Sequence, residues 1–169
     1  MEIAAVIGHS FGELTAMCVS GLLNLEDATK MIAGRTRVIR DNWGTEKGAM
    51  IAVEADIGEV MSILSISNDM LSEEKPATVA CFNGPKTFTL AGSVKPIDRF
   101  REALANNPSL AGKVKSKRLN ITNAFHSSLV EPLLRHLERM ARALTFRKPK
   151  IWLERATESA LTETPTSEF

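Results

Sequence analysis

A serine between two glycines is the first feature with a chemical use. Residues 8–12 read Gly-His-Ser-Phe-Gly, between an apolar run at 3–7 and a helical pattern that follows. A serine on a sharp strand-to-helix turn has a strained backbone and needs small neighbours on both sides, because bulk would clash there. The turn exposes the hydroxyl and directs helix N–H groups toward the group it attacks. We expect Ser10 to be a nucleophile in acyl transfer; the alternative is a glycine-lined turn with a capping serine.

A serine hydroxyl needs a base within hydrogen-bond reach, and the chain has three histidines. His9 adjoins Ser10, but at a sharp turn its side chain should point away from the nucleophile. His136 lies among charged residues of a helical pattern, which favours a solvated face. His126 stands between a predicted strand and a predicted helix, where a fold can return a side chain to the serine. His126 is the expected base; the alternative is a helix-start histidine held by local hydrogen bonds.

The elements around these residues alternate between strands and helices, which predicts an α/β fold. A short helix over 14–20 ends at Gly21, and Asn24 caps a second helix that continues to about residue 42. Helix 129–144 and strand 151–153 end the pattern. Between the second helix and helix 129–144, the sequence predicts six further elements: strand 49–53, helix 57–64, strands 77–82 and 87–91, helix 96–106 and strand 115–121. This βαββαβ order is the ferredoxin-like arrangement.

Composition excludes several classes of function. The net charge of +1 gives no strong field to attract nucleic acid or an anionic membrane. No apolar run approaches the ~20 residues of a membrane span, and the N-terminus lacks the features of a signal peptide. Cys18 and Cys81 make no disulfide framework, and no Cys-x-x-Cys accompanies the histidines. We expect a cytoplasmic protein with reduced thiols, no metal and no bound cofactor.

Several motifs share the order found in one known family. The first is Gly8-His9-Ser10-Phe11-Gly12-Glu13; Arg35 follows Ser10 by 25 residues, and Asn123-Ala124-Phe125-His126-Ser127 comes later. With the linker at 21–28 and the βαββαβ section, these resemble the malonyl-CoA:acyl-carrier-protein transacylase family, above all acyltransferase domains of type I polyketide synthases. The amino-acid sequences of segments 122–127 and 153–158 resemble those of fungal reducing synthases.

The resemblance implies a fold of four parts. We expect a partial α/β-hydrolase-like core with an inserted ferredoxin-like (βαββαβ) subdomain. The first part of the large subdomain is predicted at 1–47, the ferredoxin-like subdomain at 48–122, the second part with the catalytic histidine at 123–156, and a polar, poorly ordered tail at 157–169.

The resemblance also implies a mechanism. Ser10 attacks the thioester of malonyl-CoA while His126 takes its proton, and the phosphopantetheine thiol of an acyl carrier protein then accepts the acyl group. The N–H of Phe11 supplies an oxyanion donor, worth roughly 3–4 kcal/mol of barrier. Arg35 grips the malonyl carboxylate through its planar fork. Neighbouring synthase domains are further expected partners.

Acyl selectivity is expected to depend on Phe125, because in this family Ala-Phe-His accompanies malonyl and a smaller residue accompanies methylmalonyl. A phenyl ring fills the room that an α-methyl group would need. His9 and Asn123 are further expected substrate contacts. The chain departs from the family pattern at Asn123, where histidine is frequent, and in the bulk of Phe11.

The family's domain is roughly twice as long, and its opening Gly-Gln-Gly loop is not found. The chain is therefore expected to be a fragment, poorly soluble or inactive alone. One alternative is an α/β-hydrolase-type serine esterase or thioesterase; another is a non-enzymatic scaffold with an incidental turn. A cationic set could meet an acidic carrier protein, although a solvated helix face is the commoner explanation for such a set. Its members are Arg135, Arg139, Arg142, Arg147, Lys148 and Lys150.

Overall fold

The computed structural model describes residues 2–69, 75–110 and 112–155. The tail predicted at 157–169 lies outside the described residues. The elements alternate as expected, which confirms the α/β class. They are β1 (Ala5–Gly8), α1 (Phe11–Val19), α2 (Leu25–Asn42), β2 (Gly48–Glu54), α3 (Ile57–Asp69), β3 (Thr78–Gly84), β4 (Thr87–Ser93), α4 (Val94–Ala105), β5 (Lys115–Arg118), a 3-10 turn (Ser128–Val130), α5 (Glu131–Ala141) and β6 (Trp152–Arg155).

The chain forms two compact units. The first combines the residues up to Asn42 with those from Leu134 onward, and the second is the continuous stretch Trp43–Leu133. Residues 123–133, expected in the large subdomain, therefore pack with the second unit. Within the described residues, no helix is both long and apolar enough to cross a lipid bilayer.

The first unit is built around the parallel pair β1 and β6, in which Ala5 pairs with Trp152 and Gly8 with Arg155. Helices α1 and α2 follow β1 directly. The Asn24 side chain accepts a hydrogen bond from Asp27 N–H at 2.6 Å, which caps α2 as its sequence predicts. Apolar side chains from both helices pack in two small buried clusters, which contain Ala16, Leu22 and Leu153, and Leu23, Ala28 and Met31.

The second unit is an antiparallel sheet with strand order β3-β4-β2-β5. Strand β2 pairs with β4 from Gly48–Ser93 to Glu54–Thr87 and with β5 on its other edge. Helices α3 and α4 pack against each other and contribute to the core of this unit. This core is the largest of the buried clusters among the described residues. Its fully buried members include Ile51, Val60, Ile63, Leu90, Ile97 and Phe100.

Two predicted boundaries move for identifiable reasons. Helix α3 extends to Asp69, beyond the predicted end at 64; the polar Ser67 is buried in this added part and satisfies its hydroxyl on Leu64 O at 3.0 Å, so it does not end the helix. The predicted helix 129–144 divides into the 3-10 turn and α5. Pro132 lies in the first turn of α5; a proline has no N–H to donate, so an α-helix can begin just before it but cannot run through it unbroken.

Candidate active site

Ser10 lies on the turn between β1 and α1, where the sequence predicts a nucleophile. Its backbone has φ 54° and ψ −115°, whereas an ordinary helix-capping residue has extended backbone. Its hydroxyl makes no capping hydrogen bond to α1 within the described residues. Such a backbone costs about 1–3 kcal/mol and persists where the surroundings enforce it, which is frequent at active sites. The geometry agrees with a strained nucleophile turn rather than with a simple cap.

The two glycines of the motif have different roles. A Cβ at Gly8 would lie 2.1 Å from the carbonyl oxygen of Gly12 and 2.6 Å from Glu13 N, so any side chain would collide with the helix backbone. A Cβ at Gly12 would have no described atom within 4 Å. The expectation that small residues are needed on both sides of Ser10 is therefore wrong for Gly12, because its Cβ direction points into open space.

The neighbours of Ser10 are accessible. His9 is exposed, and its carbonyl accepts a hydrogen bond from Gly12 N–H at 2.9 Å. The Phe11 ring is 50% exposed, and Phe11 is the first residue of α1. Glu13 N–H donates to Ser10 O at 3.1 Å, which fixes the first helical turn behind the serine. The helix N-terminus thus begins directly at the predicted nucleophile.

His126 lies on a second unusual turn, in the other unit. Its φ is 58°, and within 2–69, 75–110 and 112–155 it and Ser10 are the two non-glycine residues with positive φ. The Ser127 hydroxyl donates to Ala124 O at 2.6 Å and accepts from Leu129 N–H at 3.3 Å. The first bond spans the histidine, and the second joins Ser127 to the 3-10 turn that follows, so together they hold the turn in shape. His126 itself is exposed.

The residues before His126 pack against the face of the sheet opposite α3 and α4. Ala124 is fully buried with Met50, Ala91 and Leu129, and half-buried Phe125 packs against the same cluster. The Phe125 ring meets Trp43 edge to face, with centroids 5.5 Å apart. Asn123 is half-buried and its side-chain oxygen accepts from the Thr122 hydroxyl at 3.4 Å.

Arg35 lies on α2 and differs from the other two arginines of that helix. Arg40 forms a two-pronged ion pair with Asp41, at 2.6 and 3.0 Å, and this contact lowers the pKa of Asp41 below its usual value. Arg37 is exposed. Arg35 is half-buried and lines an open groove whose other walls are mostly apolar, with Leu14, Met31, Leu137, Glu138 and Met140 among them.

The cationic set near the C-terminus is partly engaged within the first unit. Arg142 pairs with Glu138 at 2.7 Å, and Arg147 lies 3.9 Å from Asp27. The Arg142 pair is exposed, and such pairs contribute little to stability. The Arg142 contact favours the solvated-face interpretation, whereas Arg147 lies beside the largely buried carboxylate of Asp27.

Sequence reasoning missed Gly48 and Trp43. A Cβ at Gly48 would lie 2.3 Å from Ala124 N, so Gly48 allows the turn before His126 to sit against β2. Neither residue belongs to a motif, and both contact residues far away in the sequence. The available signal was a glycine at the start of a predicted strand, which marks a close backbone approach.

Known proteins resemble this chain in sequence. The family described as "Acyl transferase domain" matches residues 1–168. The non-reducing polyketide synthase dbaI of Emericella nidulans is 58% identical over 169 residues, covering 100% of this chain and 6% of that protein. The citrinin polyketide synthase of Monascus purpureus is 46% identical, with the same coverage of 100% and 6%.

Solved acyltransferases share the fold. The acyltransferase domain from the second module of the salinomycin polyketide synthase superposes with a TM-score of 0.74 at 34% identity, covering 95% of this chain and 35% of that one. The MCAT of Streptococcus pneumoniae gives a TM-score of 0.77 at 27% identity, covering 95% and 50%.

One expectation is overturned. Several curated relatives, dbaI of Emericella nidulans and pigA of Monascus ruber among them, are named non-reducing polyketide synthases, so the expected resemblance to reducing synthases is wrong. The segments 122–127 and 153–158, which suggested it, lie in a region that matches an acyl transferase. Acyl transfer leaves the oxidation state of its product unchanged, so these residues carry no physical signal about reduction. The chain spans about 6% of the length of its curated relatives, and on the match over 1–168 it belongs to the acyl transferase domain family.

Proposed function

We propose that these residues form the catalytic portion of an acyltransferase that moves a malonyl group from CoA to an acyl carrier protein in polyketide biosynthesis. The observation that carries the proposal is the backbone of Ser10, with φ 54° at the start of α1 and its hydroxyl not used as a cap. Family membership supplies the reaction class. The CoA and carrier-protein partners follow from the family resemblance, and neighbouring synthase domains would present the carrier.

The proposed chemistry has two matched steps. The Ser10 hydroxyl attacks the thioester carbonyl and passes its proton to His126; the carbon–sulfur bond breaks and the CoA thiolate takes that proton. The carrier's phosphopantetheine thiol then attacks the acyl-serine carbonyl and gives its proton to His126; the new carbon–sulfur bond forms, the ester bond to Ser10 Oγ breaks, and Oγ takes the proton back from His126. No electron is gained or lost, so no redox cofactor is required. The N–H of Phe11, the residue after the nucleophile, would stabilise the oxyanion.

Substrate selection is proposed to divide between two residues. Arg35 would bind the free malonyl carboxylate, because a guanidinium fork matches a carboxylate and an acetyl group offers no carboxylate to bind. Phe125 would exclude an α-methyl substituent, and its contact with Trp43 supports a fixed ring position. His9 and Asn123 are proposed as further substrate contacts.

The proposed architecture is a partial α/β-hydrolase-like core with an inserted ferredoxin-like subdomain. The sheet order β5-β2-β4-β3 with two helices on one face, in a βαββαβ sequence, supports the second part. The parallel β1–β6 pair with the serine turn after β1 supports the first. The predicted boundaries at 47/48 and 122/123 stay a proposal beside the observed compact units. We also propose a cytoplasmic location, with which the free thiols of Cys18 and Cys81 agree.

Loading with malonyl-CoA followed by intact mass spectrometry tests the proposal. The sample is the native protein that contains these residues, with the 169-residue chain measured beside it. We expect one malonyl adduct on Ser10 in the native protein, none after Ser10→Ala, and loading slowed by about 10²–10⁴-fold after His126→Ala. The isolated chain is expected to load poorly, since solved relatives are two to three times longer.

The competing functions give different results. A serine esterase or thioesterase would hydrolyse malonyl-CoA without needing a carrier thiol, so free malonate would form at the same rate with and without carrier protein. A scaffold would form no adduct. Adducts that persist in Ser10→Ala would place the nucleophile elsewhere and contradict the proposal.

A further inference from the structure

The stretch that leads into β2 contacts the turn that bears Phe125 and His126. We propose that Gly48 and Trp43 are positioning residues for this turn: Gly48 seats its backbone on β2, and Trp43 fixes the Phe125 ring. The inference rests on the proposed function, in which His126 is the base and Phe125 limits the acyl group.

Gly48 is in contact with the turn through backbone atoms. Its N–H donates to Thr122 O at 2.8 Å. A Cβ at this position would lie 2.3 Å from Ala124 N and 2.6 Å from Ala124 Cβ. A flexible side-chain tip could move out of the way, but a backbone nitrogen can move only with its chain. Any side chain at residue 48 must therefore displace the segment that enters the turn.

The turn transmits such a displacement to His126. Ala124 is fully buried, so the segment cannot move outward without opening its packing against Met50 and Ala91. The Ser127 hydroxyl ties Ala124 O to Leu129 N–H, at 2.6 and 3.3 Å. These bonds set the shape of the turn, whereas Gly48 sets its place on the sheet. A shift at Ala124 consequently carries His126 with it.

Trp43 restrains the aromatic ring next to the histidine. Its indole Nε1–H donates to Glu46 O at 3.2 Å, which orients the indole plane. The Phe125 ring then meets it at 5.5 Å between centroids and an interplanar angle of 71°. Edge-to-face pairs of this kind contribute beyond their buried area. Trp43 thus limits where the Phe125 ring can go.

Gly48→Ala in the native protein tests whether Gly48 positions the turn that bears His126, with Gly58→Ala as the matched control. Gly58 lies on α3 of the same unit, and a Cβ there would have no described atom within 4 Å. We expect Gly48→Ala to lower kcat for malonyl transfer by about 10–100-fold with KM within about twofold, since small misplacements of a catalytic group have effects of this size. Gly58→Ala should leave both constants unchanged.

The His126→Ala background separates positioning from general packing. If Gly48 acts through His126, Gly48→Ala should slow the residual transfer of His126→Ala by less than about twofold, because residues that act as a unit are not additive. An equal further loss in that background overturns the role of Gly48. Should Gly48→Ala fail to fold, Ala124→Gly loosens the same contact without a clash and is judged by the same two readouts.

The selectivity between malonyl and methylmalonyl groups tests whether Trp43 restrains the Phe125 ring. Trp43→Leu is expected to lower the malonyl-to-methylmalonyl ratio of kcat/KM by at least about fivefold, while Trp43→Phe, which keeps an aromatic edge, should stay near the native ratio. In a Phe125→Ala background, Trp43→Leu should not change the ratio further. An unchanged ratio in Trp43→Leu overturns its role. If His126→Ala alone transfers malonyl at the native rate, the proposed function and this inference are both wrong; if only the Gly48 and Trp43 effects are missing, the inference alone fails.

Discussion

At the scale of single residues, Ser10 and His126 share a backbone property that the sequence predicts for Ser10 and does not predict for His126. Both have positive φ, at 54° and 58°, although neither is a glycine. Residues in such conformations are uncommon and cluster at functional sites. Two positions singled out by chemistry thus coincide with two positions singled out by backbone geometry. For His126 this coincidence supports the proposed role independently of the motif, whereas for Ser10 it agrees with what the motif predicts.

The glycine pair around Ser10 allows a direct comparison. Gly8→Ala should destabilise the first unit by about 1–3 kcal/mol, as overpacking does, because its Cβ would collide with the Gly12 carbonyl. Gly12→Ala should instead raise the free energy of unfolding by about 0.4–1 kcal/mol, because alanine restricts the unfolded chain and meets no described atom in the folded one. Urea titration of the 169-residue chain, followed by far-UV circular dichroism, measures both.

Equal losses in the two variants would contradict the assigned geometry. The sequence could not separate these glycines, since both satisfy the same Gly-x-Ser-x-Gly pattern. The difference depends on the direction of each Cβ, which is known only once β1 and α1 are placed. For the same reason the sequence does not identify Gly48, because its close contact is with Ala124, which is far away in the sequence.

At the scale of elements, local signals predicted most of the fold. Asn24 with Glu26 and Asp27 after it predicts the start of α2, and the Asn24–Asp27 bond confirms it. Turn residues and apolar periodicity predict the βαββαβ order, because β2, α3, β4 and α4 each bury several apolar residues. The strand at 115–121 was predicted too long: β5 ends at Arg118, and beyond it Leu119 N–H donates to Met50 O outside the regular ladder.

The cap of α2 provides a prediction at this scale. Asn24→Ala removes the acceptor for Asp27 N–H and should lower the free energy of unfolding by about 1 kcal/mol. Asn24→Ser, which keeps an acceptor at the same place, should lie within a few tenths of a kcal/mol of the native chain. The midpoint of urea unfolding by circular dichroism is the measurement. A loss in the serine variant as large as in the alanine variant would show that capping is not the cause.

At the scale of the whole molecule, the two units differ in how completely they bury their strands. In the second unit, β4 is paired on both edges and its residues from Phe88 to Gly92 are buried. In the first, β1 pairs with β6, and Ile3 and Ile7 are 55% and 65% exposed. Exposed apolar strands of this kind favour association. We expect the isolated chain to have low solubility for this reason.

Hydrogen exchange should reveal this difference. Amides of β4 are expected to exchange at least about tenfold more slowly than those of β1, after correction for intrinsic rates, because local opening is easiest where few buried contacts must break. Mass spectrometry of peptides from each strand in the isolated chain measures both, with β2 as an internal reference for protection in the second unit. Equal protection of β1 and β4 would show that the two units open together.

The pairing of Ala5 with Trp152 has a consequence for synthesis. A ribosome adds about 5–20 residues per second, so β6 is made roughly 7–30 s after β1. The second unit, Trp43–Leu133, is one uninterrupted stretch and can collapse during that interval. The β1–β6 pair cannot form until residues 152–155 have been made. Within this stretch, the second unit, which bears His126, can therefore form before the β1–β6 pair that precedes the Ser10 turn.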